Sequence, residues 1–268
     1  MFREISAFVF MEFKRAFAYK VGTLQFICEL AVRALIVVLM STLWSKWYAL
    51  YILLPMILSI FFSRALTGFY RVIYRDYWTG RIELFLNLPL KTLSYIFYKS
   101  TASYVWAVIQ LLVYLPILLY LGPQVSIKGF LLTILAFFLC LLACIGIGLI
   151  SASMFFLLRA KGGGEPISYI FSLLTELVSG LYYPLTILPY PLQLVSMLLP
   201  QTYAFDLIRR AWLNLNSPTI PLHRIFHIDY IIEDIILLLI HSAIWTILGL
   251  HCFRRSIDYA RKYGLPVR

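Results

Sequence analysis

Long apolar stretches, separated by short polar connections, dominate the pattern of this chain. A helix of about 20 apolar residues crosses the hydrocarbon core of a bilayer. The runs are continuous rather than alternating, which argues against a barrel of membrane strands. The pattern therefore predicts an all-α polytopic membrane protein with six transmembrane helices, at Val21–Leu43, Tyr48–Tyr70, Ile96–Leu121, Phe130–Leu158, Pro166–Tyr182 and Tyr230–Phe253.

The segment before the last span is apolar but rich in proline. Each proline removes an amide donor from a helix and clashes with the preceding turn. Broken backbone is tolerated at membrane depth only where protein or a water-filled cavity covers it. We therefore predict a re-entrant helical hairpin over Pro184–Arg210, turning at Pro189–Pro191, that enters and leaves by the external face.

Two shorter segments have an amphipathic character. Apolar residues recur every four positions in Glu4–Tyr19, which predicts an N-terminal helix lying on the inner membrane surface. In the second-to-third connection, Thr79 and Gly80 precede a short apolar ridge that ends before Pro89. That ridge predicts a short cytoplasmic helix, either packed on its own spans or docked to a partner, built from Ile82, Leu84, Phe85 and Leu88.

Composition and charge support this class. The chain has 268 residues, 62% of them hydrophobic, a mean hydropathy of +0.87 and a net charge of +11. Most basic residues fall on one side of the predicted spans, as expected for cytoplasmic loops. This asymmetry places both termini in the cytoplasm and explains the positive charge without a nucleic-acid partner.

Three of the ionisable residues inside the predicted spans stand out. Glu29 and Arg33 are four positions apart on one helix face, in the order that favours an ion pair. The pair could face a dimer seam or pathway, or be a structural pair bound to another span through Glu176 or Arg64. Glu176 stands alone in the fifth span and is expected to face protein or water.

Other chemistry has little support. The glycine-rich link Lys161–Pro166 lacks the preceding strand, lysine and hydroxyl of a phosphate-binding loop, so we expect no ATP site in this chain. The cysteines fit packing better than metal binding, and no metal or other cofactor is expected. His241 in the last span is more typical of a packing residue than of a proton relay.

Two series of residues have a recognisable spacing. The first is the short helix with Gly80, Arg81, Glu83 and the following Pro89. The second precedes the last span and consists of Ser179, Gly180, Tyr183, Pro184, Leu188, Pro189, Leu199, Pro200, Thr202, Tyr203, Ala204, Asp206 and Arg209. The first series is similar to the coupling helix, and the second resembles the signature before the last span, of the ABC type-2 transporter permeases, the membrane subunits of ATP-driven exporters.

The resemblance implies a single transmembrane domain that dimerises with a second permease chain. Two copies of a separate cytoplasmic ATPase, which would bind ATP and magnesium, would push on the coupling helix and open a path for an amphipathic substrate. We divide the domain into an interface helix (1–20), spans one and two (21–70), a coupling-helix loop (71–95), spans three to five (96–182), a re-entrant segment (183–212), an external loop (213–229), span six (230–253) and a cytoplasmic tail (254–268).

Two other functions fit parts of the pattern. A membrane-embedded lipid-modifying enzyme could use Glu29, Glu176 and His241 as acid–base groups, although no nucleophile or metal cluster joins them. A non-catalytic membrane scaffold could bind partners through Arg81–Leu88. A plasma-membrane exporter permease, itself not an enzyme, explains more of the chain than either.

Overall fold

The computed structural model describes residues 10–11, 14, 20–43, 45–81, 92–122, 126–157, 166–215, 219–220 and 229–264. Within these ranges the regular structure is helical. The α-helices are α1 (Lys20–Leu43), α2 (Lys46–Trp78), α3 (Thr92–Thr101), α4 (Tyr104–Leu121), α5 (Ile127–Leu157), α6 (Pro166–Val178), α7 (Tyr190–Ser196), α8 (Pro200–Leu213) and α9 (Tyr230–Tyr263), with a 3₁₀ turn at Leu185–Ile187.

Five helical segments in the described part are long and apolar enough to cross a membrane: Thr23–Leu43, Lys46–Trp78, Tyr95–Leu121, Ile127–Leu157 and Tyr230–Lys262. They agree with five of the six predicted spans. The remaining one, predicted at Pro166–Tyr182, is the 13-residue helix α6, which ends at Val178. At 1.5 Å per residue this helix reaches roughly 20 Å, short of the bilayer core. Six spans are therefore not confirmed.

The proline-rich segment is broken, as its composition predicts. Pro184 precedes the 3₁₀ turn, Pro189 precedes α7, and Pro200 is the first residue of α8. Pro191 lies in the first turn of α7, where a missing amide hydrogen costs little. Whether the segment enters and leaves by the same membrane face stays a prediction.

Helix α8 lies at the centre of the fold. It packs against α2, α5 and α9, and every residue from Pro200 to Arg210 is buried. Around it the core consists of large apolar side chains such as Phe62, Phe205 and Leu207. This burial makes α8 the element on which the membrane helices converge.

The helices α5 and α9 pack very closely, and glycines allow this. A Cβ atom added at Gly146 would collide with the backbone of Trp245, and one at Gly249 would collide with the backbone of Gly146. Small residues at helix contacts are typical of membrane bundles, where close packing replaces the hydrophobic driving force.

Two helices extend beyond their predicted spans. We placed Arg71–Trp78 in a cytoplasmic connection, but α2 continues to Trp78, and α9 continues to Tyr263. Basic residues at these ends let a helix leave the hydrocarbon without breaking. The connection between the second and third predicted spans is correspondingly shorter.

Several predicted elements lie outside the described residues. Of the predicted interface helix (1–20), only Phe10, Met11, Lys14 and Lys20 are described, and Lys20 is the first residue of α1. Of the coupling-helix residues, Gly80 and Arg81 are described, whereas Ile82–Pro89 are not. Thr79 caps the end of α2, Gly80 adopts a left-handed φ of 72°, and Arg81 is again helical. The chain therefore turns where the coupling helix is predicted to begin.

Candidate functional site: a charged cavity within the bundle

A cavity of about 110 Å³ lies between α1, α2, α4, α6 and α8, and we call it the membrane cavity. Its ionisable lining residues are Glu29, Arg33, Arg64 and Glu176. Most of them come from the middle of candidate spans, where water is scarce and a charge is costly. A space of this size holds several waters, since one needs about 10–15 Å³.

The predicted ion pair is present at the edge of this cavity. Arg33 Nη2 lies 3.0 Å from Glu29 Oε1, and the two side chains are 33% and 51% exposed. Glu176, at the last turn of α6, is also exposed and lines the same space. The structure thus brings together the three intramembrane charges singled out from the sequence, although their roles stay predictions.

Arg64 of α2 is the second base of the cavity. Sequence analysis named it as a possible partner of the Glu29–Arg33 pair, and it contributes to the same wall. Among the described residues it forms no ion pair, although Glu29 is near enough to interact electrostatically. Ser59 and Ser63, one helical turn apart on α2 and lining the same cavity, were the available signal of a polar face.

Two glutamines complete the polar wall. Gln110 of α4 and Gln201 of α8 are both buried, and Gln201 donates from Nε2 to the sulfur of Cys144 at 3.3 Å. Its Oε1 has no hydrogen-bond partner within the described part of the chain. The cavity therefore has two acids, two bases and polar amides, a mixture suited to a polar or zwitterionic group.

Beside this cavity, Arg209 of α8 supports α2. Pro55 has no N–H, so the carbonyl of Tyr51 lacks its helical donor. Arg209 Nε donates to that carbonyl at 3.0 Å, and Nη2 donates to the carbonyl of Leu181 at 2.8 Å. The guanidinium also lies 3.7 Å from the ring centre of Tyr51. The signature arginine thus replaces a hydrogen bond that proline removes.

Arg210 belongs to a second buried network. Its Nε lies 2.8 Å from Asp206 Oδ2 and 3.5 Å from Asp234 Oδ2. Its Nη2 donates to Thr219 Oγ1 at 2.7 Å, and this hydroxyl donates to Asp206 at 2.6 Å. Asp206, Arg210 and Asp234 are therefore buried and paired inside the bundle.

The other signature residues shape the path of the chain around α8. Gly180 has a φ of 76°, and a Cβ added there would lie 3.2 Å from the side chain of Leu185. The hydroxyl of Tyr183 donates to the carbonyl of Leu177. Tyr203 donates to the carbonyl of Met197 at 2.9 Å. These contacts join the end of α6 to the broken segment, so these residues have a clear structural use.

The acid–base groups of the enzyme hypothesis are not assembled. Glu29 and Glu176 line the membrane cavity, but His241 is not part of its lining. His241 Nδ1 lies 2.8 Å from the carbonyl of Leu237, and its ring packs on Tyr203. This is the geometry of a packing histidine. Among the described residues, no group of three or more potential metal ligands was found.

Comparison with known families agrees with the membrane architecture and the signature. The sequence model of the ABC-2 family transporter proteins matches residues 36–251. Because this match covers most of the chain, the protein belongs to that family. It is thus a multi-pass permease component of an ABC transporter, and components of this kind are not themselves catalytic. A comparison with curated proteins finds no match.

Proposed function

We propose that this chain is the permease subunit of an ABC exporter in the plasma membrane. It pairs with a second permease chain, identical or different, and ATP hydrolysis in separate cytoplasmic subunits drives an amphipathic substrate through it. A drug, a lipid or a lipid-linked glycan has the required combination of apolar body and polar head.

The membrane cavity is the observation that carries this proposal. Its two acids and two bases lie among apolar helices, so they can receive a polar head while the rest of the molecule contacts apolar surface. Intramembrane ionisable residues generally mark pathways for ions or substrates, because inserting a charge into the membrane is unfavourable and such residues are rare without a function. A scaffold that only bound partners at its surface would not need them.

The central position of α8 supports a coupling mechanism. This helix lines the cavity through Gln201 and is hydrogen-bonded to α2 through Arg209. Helix α2 in turn precedes the predicted coupling helix. A push on Arg81–Leu88 would therefore reach the cavity along a continuous helix. Energetic coupling between two distant sites is carried by rigid elements that have two discrete arrangements.

The proposed orientation places the segment after α8 outside the cell. A single cysteine at Asn214, in a variant lacking the native thiols, should react with a membrane-impermeant thiol reagent from the external face. Thr186 should react weakly, or only from that face. If Asn214 reacts only from the cytoplasmic side, the re-entrant topology and the proposed orientation are both wrong.

Association with an ATPase tests the proposal most directly at the coupling helix. We expect the chain, purified from its native membrane, to carry an ATP-binding-cassette subunit and vanadate-sensitive ATP hydrolysis. Replacing Phe85 and Leu88 by aspartate should remove both while leaving membrane insertion intact, because charged residues cannot pack in an apolar groove.

The matched control keeps the ridge apolar. Phe85→Leu with Leu88→Ile should retain the ATPase at a level close to that of the unchanged chain. Undiminished ATPase association in the aspartate variant would reject this docking helix. Absence of any such ATPase from the unchanged complex, with the protein intact, would contradict the ATP-coupled function itself.

A further inference from the structure

A second cavity, of about 180 Å³, shares Arg64 with the membrane cavity, and we call it the basic cavity. Arg64, Thr67, Arg71 and Arg75 follow one another at intervals of three and four residues on α2, so they share one face of that helix. Lys99 of α3 and Ser103 form part of the opposite wall.

A break between α3 and α4 shapes this space. Ser103 donates its backbone N–H to the carbonyl of Ser100, three residues earlier, and its hydroxyl donates to the same carbonyl at 2.6 Å. Gly68 faces the break without a side chain, and a Cβ there would lie 3.5 Å from the Ser103 hydroxyl. A loosened turn opposite a glycine leaves room next to three arginines.

The charge of the cavity is strongly unbalanced among the described side chains. Four basic groups line it, and Asp76 forms an ion pair with one of them, Lys99. Asp76 accepts hydrogen bonds from Lys99 and, at 3.1 Å, from Tyr95. Arg71 and Arg75 have further contacts of their own. Arg64 forms no ion pair with the described residues, so the inner end of the cavity is open to an anion.

We propose that the basic cavity binds a phosphate group, supplied by the headgroup of an anionic phospholipid in the cytoplasmic leaflet. The guanidinium group of an arginine can donate two parallel hydrogen bonds to two oxygens of one phosphate, and the hydroxyls of Thr67 and Ser103 add neutral donors. At about 180 Å³ the cavity is far larger than the roughly 10–15 Å³ that one water requires. The site shares Arg64 with the membrane cavity, but the proposal does not depend on what is exported.

The position of the cavity favours a lipid over a free phosphate ion. Its walls belong to two candidate membrane spans, and Trp106 completes them. The arginine-rich end of α2 is the end expected to face the cytoplasm. Basic pockets between membrane helices on that side are typical binding places for anionic headgroups, and tryptophan is common at the same depth.

The test compares lipids with the purified protein depleted of native lipid. Binding is measured by native mass spectrometry and by the shift in thermal unfolding on adding phosphatidylglycerol, phosphatidylcholine or inorganic phosphate. We expect phosphatidylglycerol to bind at least about fivefold more tightly than phosphatidylcholine, since each basic residue contributes about that factor toward anionic lipid.

Substitutions then locate the site. Arg64→Gln with Arg71→Gln should weaken phosphatidylglycerol binding by about tenfold or more. Arg71→Gln alone, at an exposed position, provides a second variant with little risk to folding and should lose about fivefold. The control, Arg254→Gln with Arg255→Gln, removes two exposed basic residues of α9 and should change binding less than twofold.

Each outcome decides the proposal. Unchanged phosphatidylglycerol binding in both cavity variants would overturn it, as would an equal loss in the α9 control, which would indicate general surface attraction. Phosphatidylglycerol binding that millimolar inorganic phosphate displaces would support a phosphate site for which the free ion competes. Phosphatidylglycerol binding that inorganic phosphate does not change would support the lipid headgroup as the source of the bound phosphate group.

Discussion

Two groups of charged side chains lie inside this helix bundle, and they differ in their burial and in the partners that neutralise their charge. Around α8, Arg209 and Arg210 contact carbonyls, carboxylates and aromatic rings, and both are buried. Around the membrane cavity, Glu29 and Glu176 are exposed, and Arg64 has no ion pair among the described residues.

This difference separates two uses of intramembrane charge. A buried charge whose partners surround it holds elements in place, and removing a partner leaves an uncompensated charge. A charge that lines a cavity keeps its capacity to bind something else. We therefore interpret the α8 network as a structural support of the bundle and the membrane cavity as a substrate-binding site.

The largest expected effect comes from removing Arg210. Arg210→Met leaves Asp206 and Asp234 close together and buried, and we expect a loss of about 3–5 kcal/mol in the free energy of unfolding. Folded yield and thermal unfolding in detergent measure this. The same substitution at exposed Arg254 is the control and should change stability by less than about 0.5 kcal/mol. Similar losses at both positions would show that the buried pairing of Arg210 does not support the bundle.

Arg209 should have a smaller effect that depends on Pro55. Arg209→Met leaves the carbonyls of Tyr51 and Leu181 without this donor, which should cost about 2–3 kcal/mol. In a Pro55→Ala background, residue 55 again has an N–H for Tyr51, so the cost should fall by about 1 kcal/mol. A double-mutant cycle of unfolding free energies measures the difference. Equal costs in both backgrounds would show that Arg209 does not replace the missing hydrogen bond.

The smallest stability effect is expected at the cavity edge. Reversing Glu29 or Arg33 alone should lower the amount of folded protein through a change of about 1 kcal/mol or less, because the pair is partly exposed. Exchanging the two residues should restore part of that loss. If the exchanged variant is no better than either single reversal, the two residues are not partners in the membrane.

The pattern of apolar residues predicted much of the fold, for a physical reason. Continuous runs of about 20 apolar residues have few alternatives to membrane helices, and five of them agree with the structure. Hydropathy says less about where a helix ends. Helix α6 stops before Ser179 and Gly180, and α2 continues through Arg71 and Arg75. Apolar residues continue past the first boundary with Leu181, Tyr182 and Tyr183, and basic residues do not end a helix.

The candidate site was predictable only where its residues are close in sequence. Glu29 and Arg33 are one helical turn apart, so their pairing follows from spacing. Arg209 and Tyr51 are 158 positions apart, and no local pattern joins them. Pro55 was the available signal, because a proline inside a span always leaves a carbonyl four residues earlier in need of a donor.

The central claim is that the membrane cavity is a transport path whose access changes with ATP. Ser63→Cys, in a variant with the native cysteines replaced by alanine, places a thiol in the cavity wall. Ser151→Cys makes the same substitution at a fully buried position of α5 and is the control.

Labelling with a membrane-impermeant thiol reagent is the most direct measurement, made on the complex with its ATPase in proteoliposomes. The cysteine at position 63 should label from one face without nucleotide, and trapping with ATP and vanadate should change its rate severalfold or transfer access to the other face. The cysteine at position 151 should stay unlabelled throughout. Labelling at position 63 that is absent, or that is the same with and without trapped ATP, would contradict the account.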